Sequence, residues 1–255
     1  HRGKKMSGSG YDDSVIFLSP EGKIYQIEYA EKAVETSSTI IGAVCKDGIV
    51  MGTEKVLPNK LLIPQTDKRI YSISKSAGIL VNGVIPDGRN IMYKGRKEYK
   101  AYSDQYGAEI SGKVLADRLA QYMHFNTCYY GKRPYGTSCV LACYDKVHGY
   151  TLHMMDPAGN CSQYYGCANG RGKQSSRGEL EKEEFKTLTC EEALPKIAKI
   201  LLTSTEETKD KGRELEFSVL SDETNHEHKF LSAEKCQELY EAALKSIDEE
   251  DMEED

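Results

Sequence analysis

The chain has 255 residues, enough for one large domain or two modest ones, and no composition shift marks a linker. Its longest apolar runs, such as Ile40 to Cys45 and Cys139 to Cys143, fall far short of the roughly 20 residues a membrane helix needs, so no membrane partner is expected. The formal charge of -6 rests almost wholly on Asp248 to Asp255, "DEEDMEED", which holds seven carboxylates; with no basic stripe elsewhere, nucleic acid is not expected as a partner.

The ends read differently from the middle. Residues 1–10 read as a flexible extension, with "HRGKK" ahead of Met6 either native or added, and no secretory signal is recognisable. Residues 11–247 read as one domain. Residues 248–255 repel one another and are expected to form a disordered acidic tail, either solubilising or able to dock a basic partner.

In chain order, Ser19-Pro20 is expected to set up the first turn of a helix on which Ile27, Ala30 and Val34 share one face. Thr39 to Lys55 then gives two apolar segments around Lys46-Asp47-Gly48, a hairpin signature. Two more strands are predicted around Ile70 to Ser74 and Gly78 to Asn82. Helical patterns follow from Asp87 to Tyr106 and from Lys113 to His124, the second started by Ser111-Gly112. Strands return from Gly136 to Tyr144 and from Tyr150 to Met155, which ends at the Asp156-Pro157-Ala158-Gly159 turn. A single strand around Ser162 to Cys167 leads into another helix. A further helix is expected from Cys190 to Ser204, with Pro195 near its first turn. A strand from Glu214 to Leu220 and a helix from Ala233 to Ile247 complete the pattern. Grouped strands and grouped helices, rather than strict alternation, indicate an α+β fold with two packed antiparallel sheets between helical layers.

Several candidate chemistries fail on their own residue requirements. The loop "GCANGRGKQ" has the glycines of a phosphate cradle, but a P-loop would need Gly where Cys167 stands and Ser or Thr where Gln174 follows Lys173. The eight cysteines are scattered without a CxxC, which suits reduced, buried thiols in a cytosolic or nuclear compartment. His226 and His228 form an HxH that reads as a solvated turn. The carboxylates of "EKEE" and "TEETKDK" read as solvated helix faces. No metal and no cofactor are expected.

One hydrolytic possibility stays open. An enzyme that uses its own terminal amine as base would carry its nucleophile at the start of the first strand, here Ser37-Ser38-Thr39. Processing before Ser38 or Thr39 would make the chain a self-activating N-terminal nucleophile hydrolase. A retained helix in front of that strand would block it.

The stretch "GYDDSVIFLSPEGKIYQIEYAEKAV" resembles the N-terminal signature of α-type 20S proteasome subunits: a Tyr-Asp pair, Ser-Pro-Asp/Glu-Gly, then Gln-Val/Ile-Glu-Tyr-Ala and Ala-Val. "RPYGTS" at Arg133 to Ser138 and "DPAGN" at Asp156 to Asn160 carry the resemblance through nearly the whole chain. "LIPQTDKRI", "IPDGR" at Ile85 to Arg89 and the acidic C-terminus look most like the seventh ring position. The resemblance implies a four-layer αββα sandwich and a non-catalytic subunit in cytoplasm and nucleus. The implied partners are other α-type subunits in a seven-membered ring, β-type subunits, and regulatory particles at the α-ring surface.

The resemblance also implies site residues. Tyr11, Asp12, Pro20 and Tyr29 match the gate-stabilising cluster. Asp13 stands where many α-type subunits have Arg, which implies an asymmetric share in the gate. Gly22, Ile24, Lys68, Arg69 and Gly83 match the pocket in which activator tails dock. The positions of the β-type nucleophile and its acidic and lysine partners fall on Ser38, Glu54 and Arg69. Arg69 cannot serve as a neutral amine, because a guanidinium stays protonated.

Overall fold

The computed structural model describes residues 10–57, 59, 61–204 and 212–254, with side chains described to residue 249. Nine of the ten residues expected to form the N-terminal extension lie outside these, as do "TEETKDK" and Asp255. The helix α1 (Tyr25–Glu35) precedes strands β1 (Ile40–Val44), β2 (Gly48–Val56), β3 (Ile70–Ser74) and β4 (Ala77–Val81). Helices α2 (Ile85–Tyr106) and α3 (Gly112–Phe125) follow, then β5 (Cys139–Asp145), β6 (Gly149–Met155), β7 (Cys161–Tyr164) and β8 (Gly166–Asn169). The remaining elements are α4 (Lys173–Lys182), α5 (Cys190–Thr203), β9 (Arg213–Ser221), β10 (His228–Phe230) and α6 (Ala233–Glu254).

Two five-stranded antiparallel sheets form, in the orders β10-β9-β2-β1-β8 and β3-β4-β5-β6-β7. Strand alternation gives each sheet two apolar faces. Ile41, Ala43, Val50, Leu215 and Phe217 pack with Ala193, Ile197, Leu201 and Leu239 of α5 and α6. Ile79, Val81, Leu141 and Met155 pack with Ile91, Leu115 and Leu119 of α2 and α3. The opposite faces, with Ile40, Met51, Leu80, Val140 and Leu152, meet each other. Three cores separated by two sheets make the α+β, four-layer αββα sandwich.

Local signals place several boundaries. Ser111 Oγ accepts from Val114 N at the start of α3. At α5, Thr189 and Glu192 form a reciprocal capping box, with Thr189 N donating to Glu192 Oε2 at 2.8 Å.

Five expectations are corrected. Ser19-Pro20 does not open α1: Ser19 N donates to Lys23 O at 2.8 Å and Lys23 N to Ser19 Oγ at 3.1 Å, closing a turn in which Gly22 takes φ +79°, outside helical space. The strand around Ser162 to Cys167 is two strands in different sheets, parted at Tyr165, whose carbonyl accepts from Val44 N at 2.7 Å. Pro195 lies in the interior of α5, past the turn where a missing N–H costs nothing. The acidic end continues α6 to Glu254, since glutamate propagates a helix already nucleated upstream. The HxH is not a solvated turn. His228 is buried in β10 with its Nδ1 2.8 Å from Ser72 Oγ of the other sheet, and His226 stacks on Tyr144 at 3.9 Å.

Candidate functional site

The residues singled out by sequence fall in two places: the surface formed by the N-terminal segment and α1, and the adjoining edge of the sandwich where β1 begins. At the surface, Ala30 and Val34 bury one side of α1, with Ile27 half-buried beside them, and leave Tyr29 outward. Val15 anchors the preceding segment at 2% exposure, whereas Ile16, Phe17 and Leu18 are exposed. Gln26 Nε2 donates to the Asp12 carbonyl, tying this segment to α1. Partial desolvation, and then the facing Asp12 carboxylate, push the Tyr29 phenol up. The structure thus brings Asp12 and Tyr29 together, while Tyr11, Asp13 and Pro20 are exposed. Gln26 belongs to the recognised signature, but sequence alone gave it no role.

Of the expected pocket, Arg69 and Gly83 sit at neighbouring ends of β3 and β4: Val81 N donates to Arg69 O at 3.0 Å, and Gly83 follows two residues on. Lys68 O accepts from the Tyr71 hydroxyl at 2.7 Å. The Arg69 guanidinium is paired within the chain to Asp67 at 2.9 Å. Gly22 and Ile24 lie on the turn that enters α1.

The three positions expected to match the β-type nucleophile and its partners each have a different setting. Ser38 lies inside a continuous chain between α1 and β1, so its amine is an amide. The flanking hydrogen bonds run from Ser37 Oγ to Val34 O at 2.6 Å and from Arg171 N to Ser37 O at 3.0 Å. Thr39 is buried: its carbonyl accepts from Thr53 Oγ1 at 2.8 Å, and its hydroxyl accepts from Gly172 N at 3.0 Å. Glu54 is paired with Leu215, a residue of the helix-facing core, and forms a 3.3 Å ion pair with Arg213. Arg69 immediately precedes β3 of the other sheet and is held by Asp67. In this arrangement the Ser38 amine is acylated, the Glu54 carboxylate is paired and the Arg69 guanidinium is permanently charged, so none of the three offers a neutral amine as base.

What does fill the space between the sheets here went unseen in the sequence. Lys55 Nζ, almost fully buried, lies 3.1 Å from Glu214 Oε1 and 3.3 Å from Glu216 Oε2, and donates to Asp67 O at 2.9 Å. Glu216 accepts from Arg69 N at 2.9 Å and Ile70 N at 3.3 Å. This cluster joins β2 and β9 to the start of β3. The signal was in "RELEFSVLS", where Glu214 and Glu216 alternate with Leu215 and Phe217, and in a lysine standing within an apolar strand. Among the described residues, no group of three His, Cys, Asp or Glu side chains could hold a metal ion, and no helix is long and apolar enough to cross a membrane.

Comparison with known proteins adds an independent line. Residues 34–220 match the family of proteasome subunits, and residues 11–33 match the N-terminal signature of its α-type members. The chain is 40% identical to the alpha type-3 proteasome subunit of Arabidopsis thaliana, over 96% of this chain and 98% of that one. It is 41% identical to a probable alpha type-7 proteasome subunit of Schizosaccharomyces pombe, over 96% and 97%. It is 36% identical to the alpha type-3 proteasome subunit of Drosophila melanogaster, over 97% and 96%.

Proposed function

Because the chain belongs to the proteasome subunit family and carries its α-type signature, we propose that it is a non-catalytic structural subunit of the α ring of the 20S core, acting in ring assembly, pore gating and docking of regulatory particles. The observation that carries this reading is the packing of α1 and the segment before it onto the fold. The segment that a self-processing hydrolase would discard is tied into the fold by Val15, Ala30, Val34 and the bond from Gln26 to Asp12, and while it stays attached Ser38 has no free amine.

The partners in this reading are neighbouring α-type subunits, β-type subunits and regulators at the α1 surface, in cytoplasm and nucleus. The facing Asp12 and Tyr29 support a gate contribution from the segment before α1. Arg69 supports docking of a chain-terminal carboxylate, because a guanidinium fork holds one in bidentate fashion, with Asp67 as the group such a tail displaces or shares.

Native mass spectrometry of the particle, with the intact mass of the chain and a fluorogenic peptidase assay, tests the assignment. A chain that retains α1 in a multi-subunit particle, with hydrolysis traceable to other subunits, agrees with it. A chain cut before Ser38 or Thr39 that hydrolyses peptides by itself overturns it. For docking, Arg69→Ala is expected to weaken activator-stimulated peptidase activity about tenfold, the order of one lost charge-assisted pair, while particles stay intact. Unchanged activator affinity would remove Arg69 from the pocket.

A further inference from the structure

Most of the cysteines are withdrawn from chemistry by burial. Burial pushes the thiols of Cys139 and Cys167 up to about 12 and that of Cys161 up to about 11. Cys128 is the exposed one. It lies just past the end of α3, and its Sγ is 3.3 Å from Nε2 of His124.

The other ring nitrogen fixes how that imidazole is used. His124 Nδ1 lies 3.1 Å from the carbonyl oxygen of Ala158, which can only accept a hydrogen bond. It also lies 3.1 Å from Thr127 Oγ1, whose own proton goes to the His124 carbonyl at 2.8 Å. Both contacts require the hydrogen on Nδ1. A neutral ring then has a bare Nε2, and the only proton available across the 3.3 Å contact is that of the thiol. His124 stands in the last turn of α3. A Cβ placed on Gly159 would fall 2.6 Å from His124 Cβ, so the loop after β6 is packed onto this turn of α3. Among nearby charges, Asp156 spends its carboxylate on Asn160 N and Nδ2, and the Lys132 ammonium lies 6.0 Å from the centre of the Phe125 ring.

We propose that Cys128 and His124 form a thiol–imidazole pair that makes Cys128 a site of reversible thiol–disulfide exchange with low-molecular-weight disulfides of the glutathione type. The Sγ proton moves to Nε2, and the thiolate attacks one sulfur of the incoming disulfide. A bond from Cys128 to that sulfur forms as the original S–S bond breaks. The departing thiolate takes the proton back from Nε2. One thiol and one disulfide become one mixed disulfide and one thiol, and the incoming disulfide is the sole oxidant. His124 contacts the reacting sulfur; Ala158 and Thr127 position His124.

The test treats the assembled particle with oxidised glutathione at several pH values and follows each cysteine by peptide mass spectrometry. The expected result is a mixed disulfide at Cys128, formed at least about tenfold faster than at any other cysteine and reversed by a thiol reductant. Cys128→Ser should abolish it. His124→Gln, which removes the base in contact with the sulfur, should slow it about tenfold at neutral pH and alter its dependence on pH. Thr127→Val, which keeps the base, should slow it less, and circular dichroism establishes that each variant is folded. An unchanged rate in folded His124→Gln, a rate at Cys128 equal to that of a free peptide of the same sequence, or no modification of Cys128 in the particle would overturn the proposal.

Discussion

The space between the two sheets is closed by charge at one end and by a neutral ring at the other. At the first end Lys55, Glu214 and Glu216 bridge β2 and β9 to the backbone of β3. At the second, His228 of β10 is inserted between the sheets. Its backbone N donates to Lys75 O at 2.6 Å, its Nδ1 meets Ser72 Oγ, and its ring occupies the space that a side chain on Gly78 would need. Nearby, His226, held at φ +58°, stacks on Tyr144 with its Nδ1 2.7 Å from the Tyr150 hydroxyl, which also donates to Asp222 at 2.7 Å. Both ends tie the same two sheets. They differ in what breaks them: the charged end fails when one partner is deleted, the neutral end when a proton is added.

The largest expected effect follows from deleting one charge. Lys55→Met leaves Glu214 and Glu216 buried without their cation, which should cost roughly 3–5 kcal/mol. Urea unfolding of the full chain measures it. A loss well under 1 kcal/mol would mean that water already reaches the carboxylates, and the contrast between the ends would collapse.

Acid should act on the other end. Burial depresses the folded His228 pKa from 6.5 to about 4. As pH falls, the unfolded chain therefore takes up the proton first. This contribution is complete above about pH 6.5 and is lost progressively down to about pH 4, by up to about 3 kcal/mol. Stability measured across that window should lose part of its slope in His228→Gln; an unchanged slope would assign the acid sensitivity elsewhere.

A smaller effect sharpens the steric side of the same contrast. A Cβ at Gly78 would lie 2.3 Å from the His228 ring, so Gly78→Ala should cost about 1–3 kcal/mol through overpacking. If it also raised the His228 pKa, followed by NMR, ring displacement toward solvent would be the cause. An intact pKa with unchanged stability would show that the sheets part easily at this end.

How much of this could be read in the chain depends on whether the information was local. The hairpin of β1 and β2, the strand β3 and the helices α2, α3 and α5 follow from period, turn residues and caps, and the structure places them close to where the pattern does. The α-type signature gave the family and the position of α1, although the Ser19–Lys23 turn displaced the helix start. Local pattern does not say which face of a strand meets a charge of opposite sign. Lys55 and Glu216 stand 161 positions apart, and neither is unusual until β2 and β9 pair. The same holds for His228. Beside His226 it looks like a polar turn, and only the pairing of β10 with β9 carries it between the sheets.

The junction at Tyr165 couples the two sheets in a further way. The chain leaves β7 in one sheet and enters β8 in the other across this single residue, and the Tyr165 carbonyl is itself bound by β1. With β8 pairing to β1 from Ile40 to Ala43, neither sheet can open at this edge without straining its counterpart. The sandwich should therefore behave as one cooperative unit: amides of β1 and β6 exchange together through a shared global opening, not through separate opening of either sheet.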